Sequence, residues 1–234
     1  MRSLGIILLM CLVALAGCGK SKANAPPVDK SVKENNEPVP EQSVKEDEAD
    51  MSSDEKGEQA EKFQPFYVFR NKGARENHYV PSGFMPNGKC LSFEDSWQGN
   101  CHSDKTCIKI VYDVACSNKD QQWAGVYWLN PANNWGKQKG GFNLTGAQKL
   151  VFWAKGEEGG EQIEEFIVGG LTGDYPDSDM SKIGPVILTP EWREYTIDLR
   201  GKDLSYISGG FAWSTNTQVN NKTCIFYLDD VRFQ

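Results

Sequence analysis

Every aromatic residue of this 234-residue chain lies at or beyond Phe63: seven Trp, eight Tyr and eleven Phe follow a leader that has none. A folded core needs large apolar side chains, so this segregation confines the core to residues 63–234. That stretch has the length of one domain. Between residues 19 and 62, Pro26, Pro27, Pro38 and Pro40 are scattered among Asn, Ser, Glu and Lys, and seven Lys face twelve Asp and Glu, a net charge of −5. Such a segment cannot bury enough apolar surface to offset its chain entropy. Residues 18–62 therefore read as an acidic, disordered linker headed by Cys18. A flexible chain of this length has an r.m.s. span of about 35–40 Å. A helix over 44–62 is the alternative, but it has no apolar stripe with which to dock.

Ahead of the linker, residues 1–17 combine Arg2, an apolar run from Leu4 to Ala16 and small residues before Cys18. This is the pattern of an export signal, too short for a stable membrane span. Leu15-Ala16-Gly17-Cys18 resembles the bacterial lipobox. The resemblance implies diacylglyceryl transfer to Cys18, cleavage before it and acylation of the new N-terminus, hence a membrane partner reached through a lipid anchor. An ordinary signal peptide with a chance Cys is the alternative. Gly19, not Asp, follows the Cys. Under the lipoprotein sorting rule that implies the outer membrane where the cell has one, with the domain extracytoplasmic in the cell envelope.

If Cys11 leaves with the signal and Cys18 is lipidated, Cys90, Cys101, Cys107, Cys116 and Cys224 remain, an odd number in a compartment that permits disulfides. Cys90 and Cys101 follow Gly-Lys and Gly-Asn on the two sides of what reads as a loop, and they are the expected pair. Cys107 and Cys224 fall in strand-like runs and read as buried thiols. No Cys-x-x-Cys occurs, which argues against a zinc knuckle. The domain is mildly acidic and has no basic stripe, so no nucleic acid partner is expected.

Along 63–234, short alternating runs are broken by Gly, Asn, Asp and Pro. Strands are expected over 90–95, 106–114, 123–128, 149–155, 164–169, 193–199, 210–215 and 224–233. This many strands without a long amphipathic helix argue for an all-β, two-sheet antiparallel sandwich or jelly roll. Alternation turns Leu150 and Phe152 inward and Trp153 outward, and it sets Tyr195, Ile197 and Leu199 toward the core. It also places Asp229 on one face with Val231 and Phe233, where a carboxylate would need a compensating partner.

The stretch 123–136 crowds Trp123, Tyr127, Trp128 and Trp135 into a strand that runs into Asn-Pro and Asn-Asn turn chemistry. Flat rings suit the C–H faces of a pyranose, and amides suit its hydroxyls. The alternative is that these rings are core.

Four stretches then form an ordered series. They are Gly-Phe-Asn-Leu-Thr-Gly-Ala-Gln-Lys-Leu-Val-Phe-Trp-Ala-Lys-Gly from residue 141, Leu-Thr-Pro-Glu-Trp-Arg-Glu-Tyr-Thr-Ile-Asp-Leu from 188, Gly-Gly-Phe-Ala-Trp from 209, and Phe-Tyr-Leu-Asp-Asp-Val-Arg-Phe from 226. The series resembles the jelly-roll carbohydrate-binding modules with a galactose-binding-like fold, over residues 82–234. The resemblance implies a two-sheet sandwich, often with one structural Ca²⁺ and usually without catalysis. It does not supply the sugar, and the same fold also serves enzymes, adhesins and scaffolds.

Catalytic signatures are sparse. His78 and His102 sit in no nucleophile or metal motif, and Gly141-x4-Gly146 fails as a phosphate loop because Ala147 stands where Lys is needed. Glu157, Glu158, Glu161, Glu164 and Glu165 read as a solvated edge rather than a glycosidase pair. Asp174-Tyr-Pro-Asp-Ser-Asp179 is an acidic loop that could bind Ca²⁺ or line a sugar site through Tyr175 and Asp177, although it lacks the Gly and terminal Glu of an EF-hand; a surface turn is the alternative. Glu94, Asp95 and Asp229, on the first and last expected strands, are the candidate calcium ligands.

The leading expectation is a lipid-anchored, non-catalytic module that binds a polysaccharide or glycan through Trp128, Asn134, Trp135, Trp153, Tyr175, Asp177 and Trp213. A structural or protein-interaction envelope lipoprotein without a glycan site is the first alternative. A glycan-active enzyme is the second, and it would need facing carboxyls about 5–9.5 Å apart.

Overall fold

Polar turns cut the aromatic segment into short alternating runs, and in the structure, a computed structural model, those runs pair into an antiparallel six-stranded sheet and an antiparallel five-stranded sheet that share one core. The structure describes residues 62–234 apart from 87, 104 and 117–121. The expected signal peptide 1–17, the lipidated Cys18 and the linker up to residue 61 lie outside the described residues.

The strands are β1 (Phe66–Phe69), β2 (Val80–Met85), β3 (Leu91–Trp97), β4 (Cys107–Tyr112), β5 (Trp123–Leu129), β6 (Lys149–Gly156), β7 (Gln162–Ile163), β8 (Glu165–Gly169), β9 (Met180–Ile183), β10 (Val186–Ile187), β11 (Arg193–Asp198), β12 (Gly209–Asn216) and β13 (Cys224–Phe233). Sheet A has the order β11-β6-β13-β4-β3, with β1 also paired to β13. Sheet B has the order β2-β5-β12-β8-β9, and β7 and β10 form a small ladder of their own. The expected all-β, two-sheet sandwich is what the chain builds.

Side-chain alternation explains why the sheets stack. From sheet A, Ile108, Ile110, Phe152, Phe226 and Leu228 point inward; from sheet B, Val126, Trp128, Phe166, Phe211 and Trp213 meet them. Rings interlock across the interface: Phe152 lies 4.6 Å from Phe166 and 5.1 Å from Phe211, and Trp213 meets Phe226 edge-on at 4.9 Å. Each such side chain contributes about 1.5–3 kcal/mol on burial, which makes this seam the main source of stability.

Two sequence expectations fail here for identifiable reasons. The first is the face of Asp229. On β13 the inward series runs Cys224, Phe226, Leu228 and then jumps to Val231 and Phe233. Register shifts between Asp229 and Arg232, and Asp230 has a φ of 51°. One extra residue thus flips the parity, as a bulge does. Asp229 lies opposite Trp153, on the outer face of sheet A, not with Val231 and Phe233.

The second is the cystine map. Cys90 does not pair with Cys101; the bonds are Cys90–Cys116 and Cys101–Cys107. Residues 91–97, between Cys90 and Cys101, are strand β3 rather than a loop. At about 3.3 Å per residue, a seven-residue strand separates its ends by roughly 20 Å, far beyond disulfide reach. Cys107 is therefore bonded, whereas Cys224 is the free buried thiol that its strand pattern suggested. Burial pushes its pKa up to about 12, so it stays protonated and inert.

Candidate functional site

Strand parity dictates what faces out of sheet B. Because Val126 and Trp128 on β5 are core, Gly125 and Tyr127 point away from it. Phe211 and Trp213 on β12 are core, so Ala212 and Ser214 point away as well. Pairing lines these residues up in rows. One row is Met85, Gly125, Ser214, Glu165; the next is Gly83, Tyr127, Ala212, Ile167, Lys182.

Small side chains at the centre and large ones at the margins make a groove of about 660 Å³ along this face. Gly125 cannot be enlarged, since a Cβ there would lie 2.6 Å from the Trp213 carbonyl and 3.0 Å from Met85 Cε. Gly83 lets Trp135 lie close over β2; a Cβ would sit 2.9 Å from its ring.

The groove is lined by rings and apolar chains with a few polar groups. Trp123 is 40% exposed at one end. Tyr127 is fixed because its hydroxyl donates to the Gly169 carbonyl at 3.1 Å and its ring meets Trp135 edge-to-face at 5.8 Å. Burial raises the Tyr127 hydroxyl pKa well above its usual range, so it remains a donor. Glu165 is held by Lys182 at 2.8 Å, with the Ser214 hydroxyl at 3.5 Å from its other oxygen. Glu164 and Asn216 add polar groups to the lining. This combination of apolar surface with a few placed polar groups is the make-up of a ligand site.

The residues singled out from sequence are not gathered in one place. Trp128 and Trp213 are fully buried, in contact with Phe93 and Phe211 and with Phe226 respectively, so neither can stack on a ligand. Asn134 is 1% exposed. Its amide donates to the Asn130 and Gln138 carbonyls and accepts from the Lys137 and Gln138 N–H groups, which closes the loop after β5 and leaves nothing for a sugar. Asp177 accepts N–H groups from Leu171, Ser208 and Gly209 and so ties two loops together. Burial nevertheless raises its pKa. Tyr175 is half-buried, with its N–H on the Gly136 carbonyl beside Trp135. Trp135, 36% exposed, stands next to the groove through Tyr127. Trp153 faces out of sheet A, where His102 stacks on it at 3.7 Å.

Conversely, Trp123, Met85, Tyr127, Glu165, Ile167 and Lys182 line the groove although the sequence does not single them out as ligand contacts. Trp123 and Tyr127 were within reach of sequence reasoning, because alternation from a core Trp128 puts both on the opposite face. Met85 and Lys182 carry no such signal.

Nor do the candidate calcium ligands converge. Asp95 is ion-paired to Lys72 at 2.6 Å, Glu94 lies opposite Lys109, and Asp229 accepts the Ser103 N–H at 2.7 Å, the Ser103 hydroxyl at 3.1 Å and the Asp230 N–H at 2.9 Å. Among the described residues, the cluster of metal-ligating types around Asp229 is completed instead by Cys101 and Cys107. These two are bonded to each other and offer no thiolate.

No family model matches the chain, and no curated protein matches it. Solved structures similar to it are carbohydrate-binding modules. A family 30 module is 15% identical, with a TM-score of 0.49, over 74% of this chain and 88% of that one. A family 11 module from Clostridium thermocellum, in complex with a β-1,3-1,4-mixed-linked tetrasaccharide, is 14% identical with a TM-score of 0.41, over 61% and 81%. A family 29 module is 11% identical with a TM-score of 0.41, over 73% and 91%.

Proposed function

We propose that this protein is a non-catalytic carbohydrate-binding module that takes a polysaccharide or glycan strand into the groove on the outer face of sheet B. The observation that carries the reading is the row structure of that face. Ala212 and Ser214 floor the groove in register with Gly125, Trp123 offers an exposed ring face beside the largely buried Tyr127, and Glu165, Lys182, Ser214 and Asn216 offer hydroxyl partners. Ring faces cover the C–H surface of a pyranose, while carboxylate and amide groups orient its hydroxyls. Lipid attachment at Cys18 and a linker over 18–62 would hold this module at the surface of a bacterial envelope membrane, the outer one where it exists.

A panel of soluble polysaccharides (mixed-linkage β-glucan, xylan, galactomannan) in affinity gel electrophoresis tests the reading. Retardation by at least one polymer, abolished by Ser214→Phe, which fills the trough from a partly exposed position and should leave the melting temperature unchanged, supports it. A wild-type protein that runs freely in every gel contradicts it.

A further inference from the structure

The opposite side of the sandwich carries a second ordered arrangement. On the outer face of sheet A, Lys109 from β4, Tyr227 from β13 and Lys155 from β6 are register neighbours, and the rings of Trp97 from β3 and of Trp192, just before β11, approach the two lysines from either end. Lys109 and Lys155 are the direct register partners of Tyr227 on its two sides. The order is ring, cation, ring, cation, ring. The Lys109 ammonium lies 4.2 Å from the Trp97 ring and 5.8 Å from Tyr227; that of Lys155 lies 4.7 Å from Tyr227 and 5.9 Å from Trp192. Both end rings are fixed through their indole N–H groups, Trp97 on the Gly99 carbonyl at 2.7 Å and Trp192 on the Asn100 carbonyl at 2.8 Å. The Cys101–Cys107 bond pins the loop that supplies these carbonyls.

Among the described residues, neither row lysine has an ion pair or a hydrogen bond of its own. Glu94 faces Lys109 in the register, and Glu157 accepts the Tyr227 hydroxyl at 2.6 Å, yet neither stands within 4.0 Å of a row ammonium. Lys155 is only 8% exposed. The rings hold these ammonium groups by cation–π contact, and an anion laid over them would add to that attraction. Beyond Trp192, His102 at 6.3 Å leads to a polar pocket of about 360 Å³ that Arg70 and Lys105 also line.

We propose that this row is a second saccharide-binding face, specific for a chain that bears carboxylates. Trp97 and Trp192, both half-buried, present the ring edges and faces on which sugars rest. Lys109 and Lys155 meet the carboxylates of a hexuronate polymer. Rings alone would suit neutral sugars; the interleaved cations set the requirement for an acidic one. The site lies on the other face of the sandwich from the sheet B groove and does not depend on it.

The test uses the full chain in detergent and polygalacturonate as the probe, in affinity electrophoresis. The expected result is retention that salt weakens. Lys109→Met with Lys155→Met keeps the buried stems and removes the charges, and should lower affinity about tenfold or more, with the melting temperature unchanged. Trp123→Ala, in the other groove, should leave this retention intact. If the double variant melts early, Lys109→Met alone makes the same comparison. No retention by polygalacturonate, retention unaffected by the lysine substitutions, or equal retention by polystyrene sulfonate would each overturn the proposal.

Discussion

Tyr127 and Trp128 are consecutive residues with opposite duties. The Tyr127 ring faces the groove of sheet B, its hydroxyl on the Gly169 carbonyl, while the Trp128 ring is sealed between Phe93 and Phe211 in the core. Truncation should separate the two. Trp128→Ala, and likewise Trp213→Ala, should cost about 3–5 kcal/mol of stability. Tyr127→Phe, which loses one hydrogen bond, should cost about 1 kcal/mol. Denaturant unfolding of the three variants checks this, and a Trp128→Ala protein as stable as wild type would contradict the core assignment.

The cystine map gives a second expectation. Cys90–Cys116 spans 26 residues and Cys101–Cys107 spans six. Chain-entropy loss in the unfolded state assigns them about 3.5 and about 2 kcal/mol. Paired Cys→Ser substitutions should therefore lower the melting temperature more for Cys90/Cys116 than for Cys101/Cys107. Peptide mapping without reduction should link residue 90 to 116; a 90–101 peptide would refute the pairing.

Asp229 should leave a signature in the pH dependence of stability. Burial raises its folded pKa above the ordinary 3.8, although Ser103 and Asp230 donate to it. A raised folded value means the native state holds the proton to higher pH than the unfolded chain does. The associated stability is complete below the unfolded pKa and is lost as pH rises through the folded one. Asp229→Asn removes this component, so its melting temperature relative to wild type should climb as pH is raised through and above the ordinary carboxylate range. A difference that stays flat over that window would contradict the burial argument. Because protein donors already satisfy this carboxylate, chelation of calcium should leave the wild-type melt unchanged; a drop of several degrees would return Asp229 to a metal site.

The anchor is tested separately. With Leu15-Ala16-Gly17-Cys18 resembling a lipobox, Cys18→Ser should move the protein from the membrane fraction to the soluble one. Persistence wholly in the membrane fraction would sink the lipid reading.

How far the sequence carried the fold depended on local alternation. Leu150, Phe152 and Trp153 took the faces that their period of two demanded, and all eight expected strands appear. Strand β2 was missed because Pro81 and Gly83 mask its pattern, and β9 because it is four residues with little apolar content. The bulge at Asp230 is invisible to a period-two rule, and a single inserted residue reversed the face assigned to Asp229. The site suffered most. Choosing Trp residues by type mixed core rings (Trp128, Trp213) with a ring on the far sheet (Trp153). The trough itself is made by residues of no chemical distinction, Gly125 and Ala212, whose role exists only in register across four strands.

The central claim, that the sheet B groove is where a glycan binds, is tested most directly by one paired measurement on two Trp variants. Glycan retention and melting temperature are recorded for Trp123→Ala, which truncates the exposed ring at the groove's end, and for Trp153→Ala, which truncates the ring under His102 on the opposite sheet. The groove account expects Trp123→Ala to melt like wild type and to lose most of its affinity for whichever neutral polysaccharide retains the wild type, with Trp153→Ala still bound. Full retention by Trp123→Ala, or loss of retention in Trp153→Ala alone, would contradict it.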